Sequence, residues 1–254
     1  MPWLNVAVWR KEFRENHWKL VTYAILLLAD AVVTVFTYEV LKKLAGGLSA
    51  PGWAQQQFGF IFGSFDNYVW SNWFGKNLYQ MSTLFLVLLG MGTIAAETSR
   101  GTAGFLLTKP IRRRAVLFSK WLASAVGFAV IAIVTTLLLY PLAVLSRHTL
   151  GMGRLLASLP LTLSTGLVIL SLAALASVIF DDQVKAGGAA AVVLILLSIP
   201  SWFQRIKKWS LFYYLSAQPV LENNSPHWLL VLLMLAIAAA LYTLAVGALE
   251  RKDF

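Results

Sequence analysis

Cysteine is absent from the 254 residues, which excludes a disulfide framework and a thiolate metal site. Charge is scarce: Asp, Glu, Lys and Arg make up 13% of the chain, against about 25% in ordinary soluble domains. Acid is scarcer still, with 11 carboxylate side chains facing 21 Lys and Arg. Catalytic signatures are missing too. No G-x-x-x-x-G-K-[ST] run occurs, so the chain carries no P-loop for a nucleotide. His17, His148 and His227 lie at the ends of separate segments and none belongs to an H-E-x-x-H pair, which argues against a zinc protease. No G-x-S-x-G elbow is present, and "ETSR" at Glu97 is not a paired-glutamate protease motif. Neither a catalytic residue, a cofactor site nor a metal site is therefore expected, and a membrane-embedded enzyme is disfavoured. The N-terminus, "MPWLNVAVWRKEFRENHWK", has its charges after a short apolar patch and no long apolar region before a cleavage site, unlike a cleavable signal.

What is abundant is apolar surface. Hydrophobic residues make up 59% of the chain, and the mean hydropathy is +0.71. The length suits one polytopic domain over residues 1–254. Six runs are apolar enough to cross a bilayer, which takes roughly 20 residues of helix: residues 20–38, 78–96, 121–146, 155–180, 186–203 and 227–249. Helices are required, because an open strand cannot satisfy its backbone in lipid. The fold class is thus all-α, a polytopic membrane protein of six transmembrane helices. The net charge of +10 fits cationic loops better than nucleic acid, since no soluble basic domain is visible.

An even number of spans puts both termini on one side. That side holds Arg10, Lys11, Arg14, Lys19, the six Lys and Arg of residues 97–120, Lys185, Arg251 and Lys252, which is 13 of the 21 cations. Positive loops stay inside, so both termini are expected in the cytoplasm of a plasma-membrane protein. Trp18 and Trp121 would anchor cytoplasmic span ends, and Trp202 and Trp228 external ones.

Residues 1–19 read as an interfacial amphipathic helix, with Trp3, Val6, Trp9, Arg10 and Phe13 on one stripe, all apolar but Arg10, and Lys11, Glu12, Arg14 and Glu15 over most of the other face. Residues 39–76 are read as a long external loop, either an interfacial helix or a re-entrant hairpin. The period-two spacing of Phe58, Phe60 and Phe62 hints at an extended piece. Residues 202–226 read as an external amphipathic or re-entrant segment.

Two features stand out chemically. Asp30 lies in mid-span, about 18 Å beyond Trp18 by helical rise. A carboxylate there costs at least about 2.5 kcal/mol, so it marks a substrate path, a proton site or an interhelical hydrogen bond to a Thr or Ser. Asp181 and Asp182 form a tight turn, as helix-end polar residues or as partners of the basic residues 109–114. The second feature is residues 97–118. After the second span, Gly101 and Thr102 break or open a helix, Phe105, Leu106 and Leu107 present apolar surface, Pro110 ends the helix, and Arg112, Arg113 and Arg114 follow. Cationic residues alone would need no more than anionic lipid. Exposed apolar residues beside them point to a docked protein.

The pattern E-x-x-x-G-T-x-x-x-L-L-x-x-P-I-x-R, carried by Glu97, Gly101, Thr102, Leu106, Leu107, Pro110, Ile111 and Arg113, with Lys120 following, resembles that of the type-2 family of ABC transporter permeases. The gap from Arg113 to Lys120 is seven residues, one shorter than the family spacing. The charged ending "ALERKDF" is similar as well. The resemblance implies a permease subunit that exports or flips a hydrophobic or amphipathic substrate. Its partners would be a second permease, as homo- or heterodimer, membrane lipid, and nucleotide-binding ATPase subunits carrying the ATP and Mg. It also implies that residues 97–109 form a cytoplasmic coupling helix seated in a cleft of the ATPase, with Glu97, Arg100, Gly101, Thr102, Phe105, Leu106, Leu107, Lys109, Pro110 and Arg113 at the contact. A non-transporting membrane scaffold or sensor that recruits a cytoplasmic partner is the alternative.

Overall fold

The computed structural model describes residues 5–47, 51–101, 112–223 and 225–252. Among them every regular element is a helix. Five are long and apolar enough to cross a membrane: α1 (Val6–Gly46), α6 (Arg113–Leu145), α7 (Met152–Ile179), α8 (Gln183–Ser198, continued by a 3₁₀ turn to Trp202) and α11 (Trp228–Arg251). Shorter helices are α2 (Gly52–Phe62), α3 (Phe65–Asn72), α4 (Leu78–Gly90), α5 (Ala95–Ser99), α9 (Leu211–Leu215) and α10 (Gln218–Asn223).

α7 is the axis of the bundle. In its most apolar stretch 72% of residues are buried, against 22–33% in the other four long helices. α11, α4 and α8 pack on it, and α6 packs along α1. The polarity is that of a protein in lipid. Large apolar side chains such as Ile25, Val33, Val130, Ile195 and Leu232 face outwards. The inner face of α7 is lined by small residues and hydroxyls, Ser158, Thr162, Ser164, Thr165, Ser171, Ala173 and Ser177. Without a hydrophobic drive between helices in lipid, close approach and hydrogen bonds hold them together. Thr162 donates to the carbonyl of Leu215, while Ser158 and Ser171 accept from the indoles of Trp70 and Trp121, each at 2.9–3.1 Å. Gly90 lies so close to α7 that a Cβ on it would stand 2.4 Å from the Cβ of Ala173.

Several boundaries differ from those expected. α1 is one unbroken helix of 41 residues, so the N-terminal amphipathic segment and the first span are one element. Nothing between His17 and Leu20 breaks a helix. The apolar run 78–96, expected as the second span, is broken: α4 ends at Gly90 and α5 begins at Ala95, and neither is among the five helices long and apolar enough to cross. Upstream, α3, a π turn (Trp73–Asn77) and α4 form one helical run from Phe65 to Gly90. Residues 39–76, expected as an external loop, are helical at most of their described positions. Phe58 and Phe62, whose spacing hinted at an extended strand, are an i,i+4 ring pair on α2 with centroids 6.4 Å apart. Trp121 is half-buried, its indole donating to Ser171 and its ring packed on Tyr242. Trp18, Trp202 and Trp228 are exposed.

Residues 199–223 fold into two 3₁₀ turns, α9 and α10, a cap seated on the bundle through buried Leu215, Ala217 and Val220. Its outer side exposes Trp202, Phe203, Ile206 and Trp209 around Arg205, Lys207 and Lys208. Glu222 braces it, accepting from Lys207 and from the Tyr213 hydroxyl, both at 2.7 Å. Burial opposes ionisation of Glu222, but these bonds and the charges of Lys207 and Lys208 outweigh it and hold the carboxyl below its ordinary range. A depressed folded-state value contributes stability above the unfolded value, and that stability is lost as pH falls through the folded one. Acidification should therefore lower the thermal unfolding midpoint of the wild type more than that of Glu222→Gln. Parallel curves for the two proteins below the ordinary carboxylate range would show that Glu222 does not brace the cap.

Candidate functional site: an ionic cluster at the root of residues 97–118

α1 begins with Asn5 as its N-cap, the side chain accepting from the backbone N–H of Ala7 and Val8. The backbone N–H of Asn5 donates to the Ser119 hydroxyl at 2.9 Å, and Val8 packs against Val116. Asn5, Val8, Glu12 and Asn16, spaced three or four apart, therefore lie along the first turns of α6. This register brings Glu12 against Lys120. The Lys120 Nζ sits 3.1 Å from Glu12 Oε2 and 3.1 Å from Glu97 Oε1. Asn16 donates to the other oxygen of Glu12 at 2.6 Å. Lys11 reaches Glu97 from the solvent side at 3.1 Å and Glu15 at 3.5 Å. Lys120, Glu12 and Glu97 are 2%, 4% and 5% exposed, so the charges compensate one another away from water.

Glu97 is held there by α5. α4 stops at Gly90, and the backbone N–H groups of Ile94 and Ala95 that open α5 both donate to the Ser177 hydroxyl of α7 at 2.9 Å. That hydroxyl in turn donates to the carbonyl of Met91. One serine on the axial helix thus satisfies the break in the chain and fixes the direction of α5. Gly101 follows at φ +70°, a left-handed conformation that glycine takes without a Cβ clash, and its N–H closes on the carbonyl of Thr98.

Of the site residues expected from sequence, Glu97 is buried in this cluster and Arg100 is exposed beside it. Thr102, Phe105, Leu106, Leu107, Lys109 and Pro110 lie outside the described residues. Arg113 opens α6 and donates to the carbonyls of Leu249 and Lys252, so it ties the start of α6 to the end of α11. Asp181 pairs at 2.6 Å with Lys252, and among the described residues with none of Arg112, Arg113 and Arg114, while Asp182 caps α8 by accepting from the N–H of Lys185. Glu12, expected on the solvent face, is the member of the cluster that the amphipathic stripe misled. Asn16 and Ser177 had no signal of their own, although the 8/12/16 spacing marks an inward face.

Asp30 lies elsewhere, on the face of α1 that meets the π turn. One oxygen accepts from Asn77 Nδ2 at 2.6 Å, and the other is buried with no hydrogen-bond partner among the described residues. The interhelical bond goes to an amide and not to a Thr or Ser. The π turn makes it: one extra residue in the turn rotates the downstream helix by about 100° and swings Asn77 towards α1. Among the described residues no group of three or more His, Cys, Asp and Glu could hold a metal ion.

Searches of characterised proteins and of solved structures return no match. Residues 7–254 match the family described as "ABC-2 family transporter protein". That match takes in the ionic cluster, the pattern that starts at Glu97 and all five long apolar helices, and the chain accordingly belongs to the ABC-2 family: it is the multi-pass membrane permease of a type-2 ABC transporter.

Proposed function

We propose that this permease exports or flips a hydrophobic or amphipathic substrate across the plasma membrane, driven by ATP hydrolysis on separate nucleotide-binding subunits that dock on residues 97–118. Both termini are cytoplasmic in this reading. The helical run from Phe65 to Gly90 supplies the sixth span, since its 26 residues at about 1.5 Å each exceed a hydrocarbon core of about 30 Å. The Trp9–Phe13 ring pair, half-buried next to the buried Val8–Glu12 face, suits a first turn set in the headgroup layer. Two permeases, alike or different, complete the transporter.

The observation that carries this reading is the buried cluster of Glu12, Glu97 and Lys120. Residues 97–118 are rooted in it at both ends, through Glu97 at their start and Lys120 just beyond their end. A push on that segment by closing ATPase subunits is passed to α1 and α6 as rigid bodies, because separating the three charges in a dry site is costly. A surface that merely recruits a partner has no need of such a linkage, which favours transport over a scaffold or sensor. The absence of a P-loop in the sequence accords with hydrolysis on a partner. The testing experiment is purification of the chain from its native membranes in mild detergent with an ATP hydrolysis assay. A stoichiometric P-loop ATPase with vanadate-sensitive turnover is expected. A well-folded chain that brings no ATPase would favour the scaffold.

Asp30 is our candidate for the substrate path. Its unpartnered oxygen, in the membrane layer and next to a π turn, is available to a polar group of the substrate. Asp30→Asn keeps an acceptor for Asn77, so expression and assembly should stay normal while transport in proteoliposomes falls. Transport at the wild-type rate from a normally assembled Asp30→Asn transporter would remove the residue from the path.

A further inference from the structure

A pocket of about 250 Å³ opens beside the ionic cluster, among Trp18 and Lys19 of α1, the turn at Gly92, Arg100 after α5, and Gln183 at the start of α8. Its volume is that of about eight waters. The carboxylates around it are already engaged, Glu12 and Glu97 by Lys120 and Glu15 by Lys11. Two cations remain. The Lys19 ammonium donates to the carbonyl of Leu88 at 3.3 Å, and among the described residues neither it nor Arg100 forms an ion pair. The donors converge. A Cβ built on Gly92 would stand 3.5 Å from Gln183 Nε2 and 3.8 Å from Lys19 Nζ, so an amide and an ammonium aim at one space that a glycine keeps open.

The height of the pocket bears on its occupant. Lys19 is the last residue before the apolar run 20–38, and Trp18 beside it is 58% exposed, as an indole in the headgroup layer would be. A soluble anion would have to reach the site along that rim. A lipid phosphate already lies at that level, in the leaflet that carries most of the anionic lipid if this end is cytoplasmic.

We propose that this pocket binds the phosphate of an anionic lipid of the inner leaflet, with Lys19, Arg100 and Gln183 as its donors and Trp18 along the glycerol. The bound phosphate would bridge α1, the end of α5 and α8, and stiffen the root of residues 97–118. The proposal rests on the cytoplasmic placement of the termini, and not on the ATPase.

The test uses the purified full chain in nanodiscs of phosphatidylcholine with a minor fraction of phosphatidylglycerol, the retained lipid being counted by native mass spectrometry. The wild type should keep phosphatidylglycerol selectively. The double variant Lys19→Gln, Arg100→Gln should keep it about thirtyfold less, the effect of two near-surface cations. Lys185→Gln removes an exposed cation outside the pocket and should change nothing. Gly92→Leu fills the space without altering charge and should also release the lipid, which keeps the test decisive if the double variant folds poorly. Retention unaffected by Gly92→Leu, an equal loss with Lys185→Gln, or full competition by inorganic phosphate would each overturn the proposal. ATPase recruitment is not read in this assay, so a failed transport reading would not be mistaken for a failed lipid site.

Discussion

Replacing Lys120 with methionine is expected to destabilise the permease by about 3–5 kcal/mol, the usual penalty for breaking a buried ion pair from one side. The reason is what remains. Methionine fills most of the space but leaves Glu12, 4% exposed, with no cation, beside Glu97, 5% exposed, which keeps only Lys11 on its solvent side. In a detergent unfolding scan this corresponds to a midpoint lowered by roughly 6–20 °C for a chain of this size. Glu97→Gln should cost much less, because Lys120 keeps Glu12 and the new amide oxygen can still accept. Combining Lys120→Met with Glu12→Gln and Glu97→Gln should restore part of the loss, since the like charges are then gone. A stability effect alone would describe a structural pin. The coupling role has its own signature: the neutral triple variant should bind ATPase yet show weakened substrate stimulation of hydrolysis. A Lys120→Met protein with the wild-type midpoint would mean that the three charges do not meet in a dry environment.

The membrane helices were legible because lipid demands long apolar runs, and the ends of α7, α8 and α11 fall within about three residues of where hydropathy changes. The end of α4 at Gly90 was missed for a physical reason: the apolar run continues through Met91–Ile94, but the backbone turns there because Ser177, far along the chain, takes over the orphan amides. No local signal announces that. The face of the N-terminal helix was misjudged for the opposite reason. Trp9 and Phe13 form a good apolar stripe, and in a soluble protein such a stripe would point inwards or at a partner. Beside a membrane the stripe can look outwards, which frees the polar face of Val8, Glu12 and Asn16 to carry the buried contact with α6. Glu97 was singled out as a contact residue by the pattern it belongs to, and Lys120 only as a match to that pattern; neither was expected in a buried cluster. Their third partner was not singled out, since a glutamate among Lys11, Arg14 and Glu15 reads as solvated surface. Asp30 was conspicuous as an acid in an apolar run. Its partner Asn77 was hidden by a π turn that shifts the register by one residue.

Leu106→Asp, or equally Phe105→Asp, is expected to abolish stable association with the ATPase while leaving the permease inserted and folded. Both residues lie outside the described part of the structure, so the expectation rests on sequence chemistry and on the residues that bracket them. "AGFLLTKP" presents three large apolar side chains on a short segment bounded by a left-handed glycine on one side and a proline on the other. The segment is bracketed by Glu97 and Arg113, and both of those residues are engaged with the bundle. Apolar residues displayed at such a point are stable only when something covers them. If the cover is an ATPase cleft, an aspartate placed in it is a charge without a partner, which costs several kcal/mol and shifts a nanomolar contact to micromolar or weaker. Insertion should not suffer, because an aspartate in the proposed cytoplasmic segment, outside the apolar runs, does not have to enter lipid. The measurement is co-purification of ATPase with the variant, paired with the unfolding midpoint of the permease. Lost ATPase at an unchanged midpoint is the expected outcome. Retained ATPase with full turnover would place the docking surface elsewhere, and the buried cluster of Glu12, Glu97 and Lys120 would then serve only to pin α1 and α5 to α6.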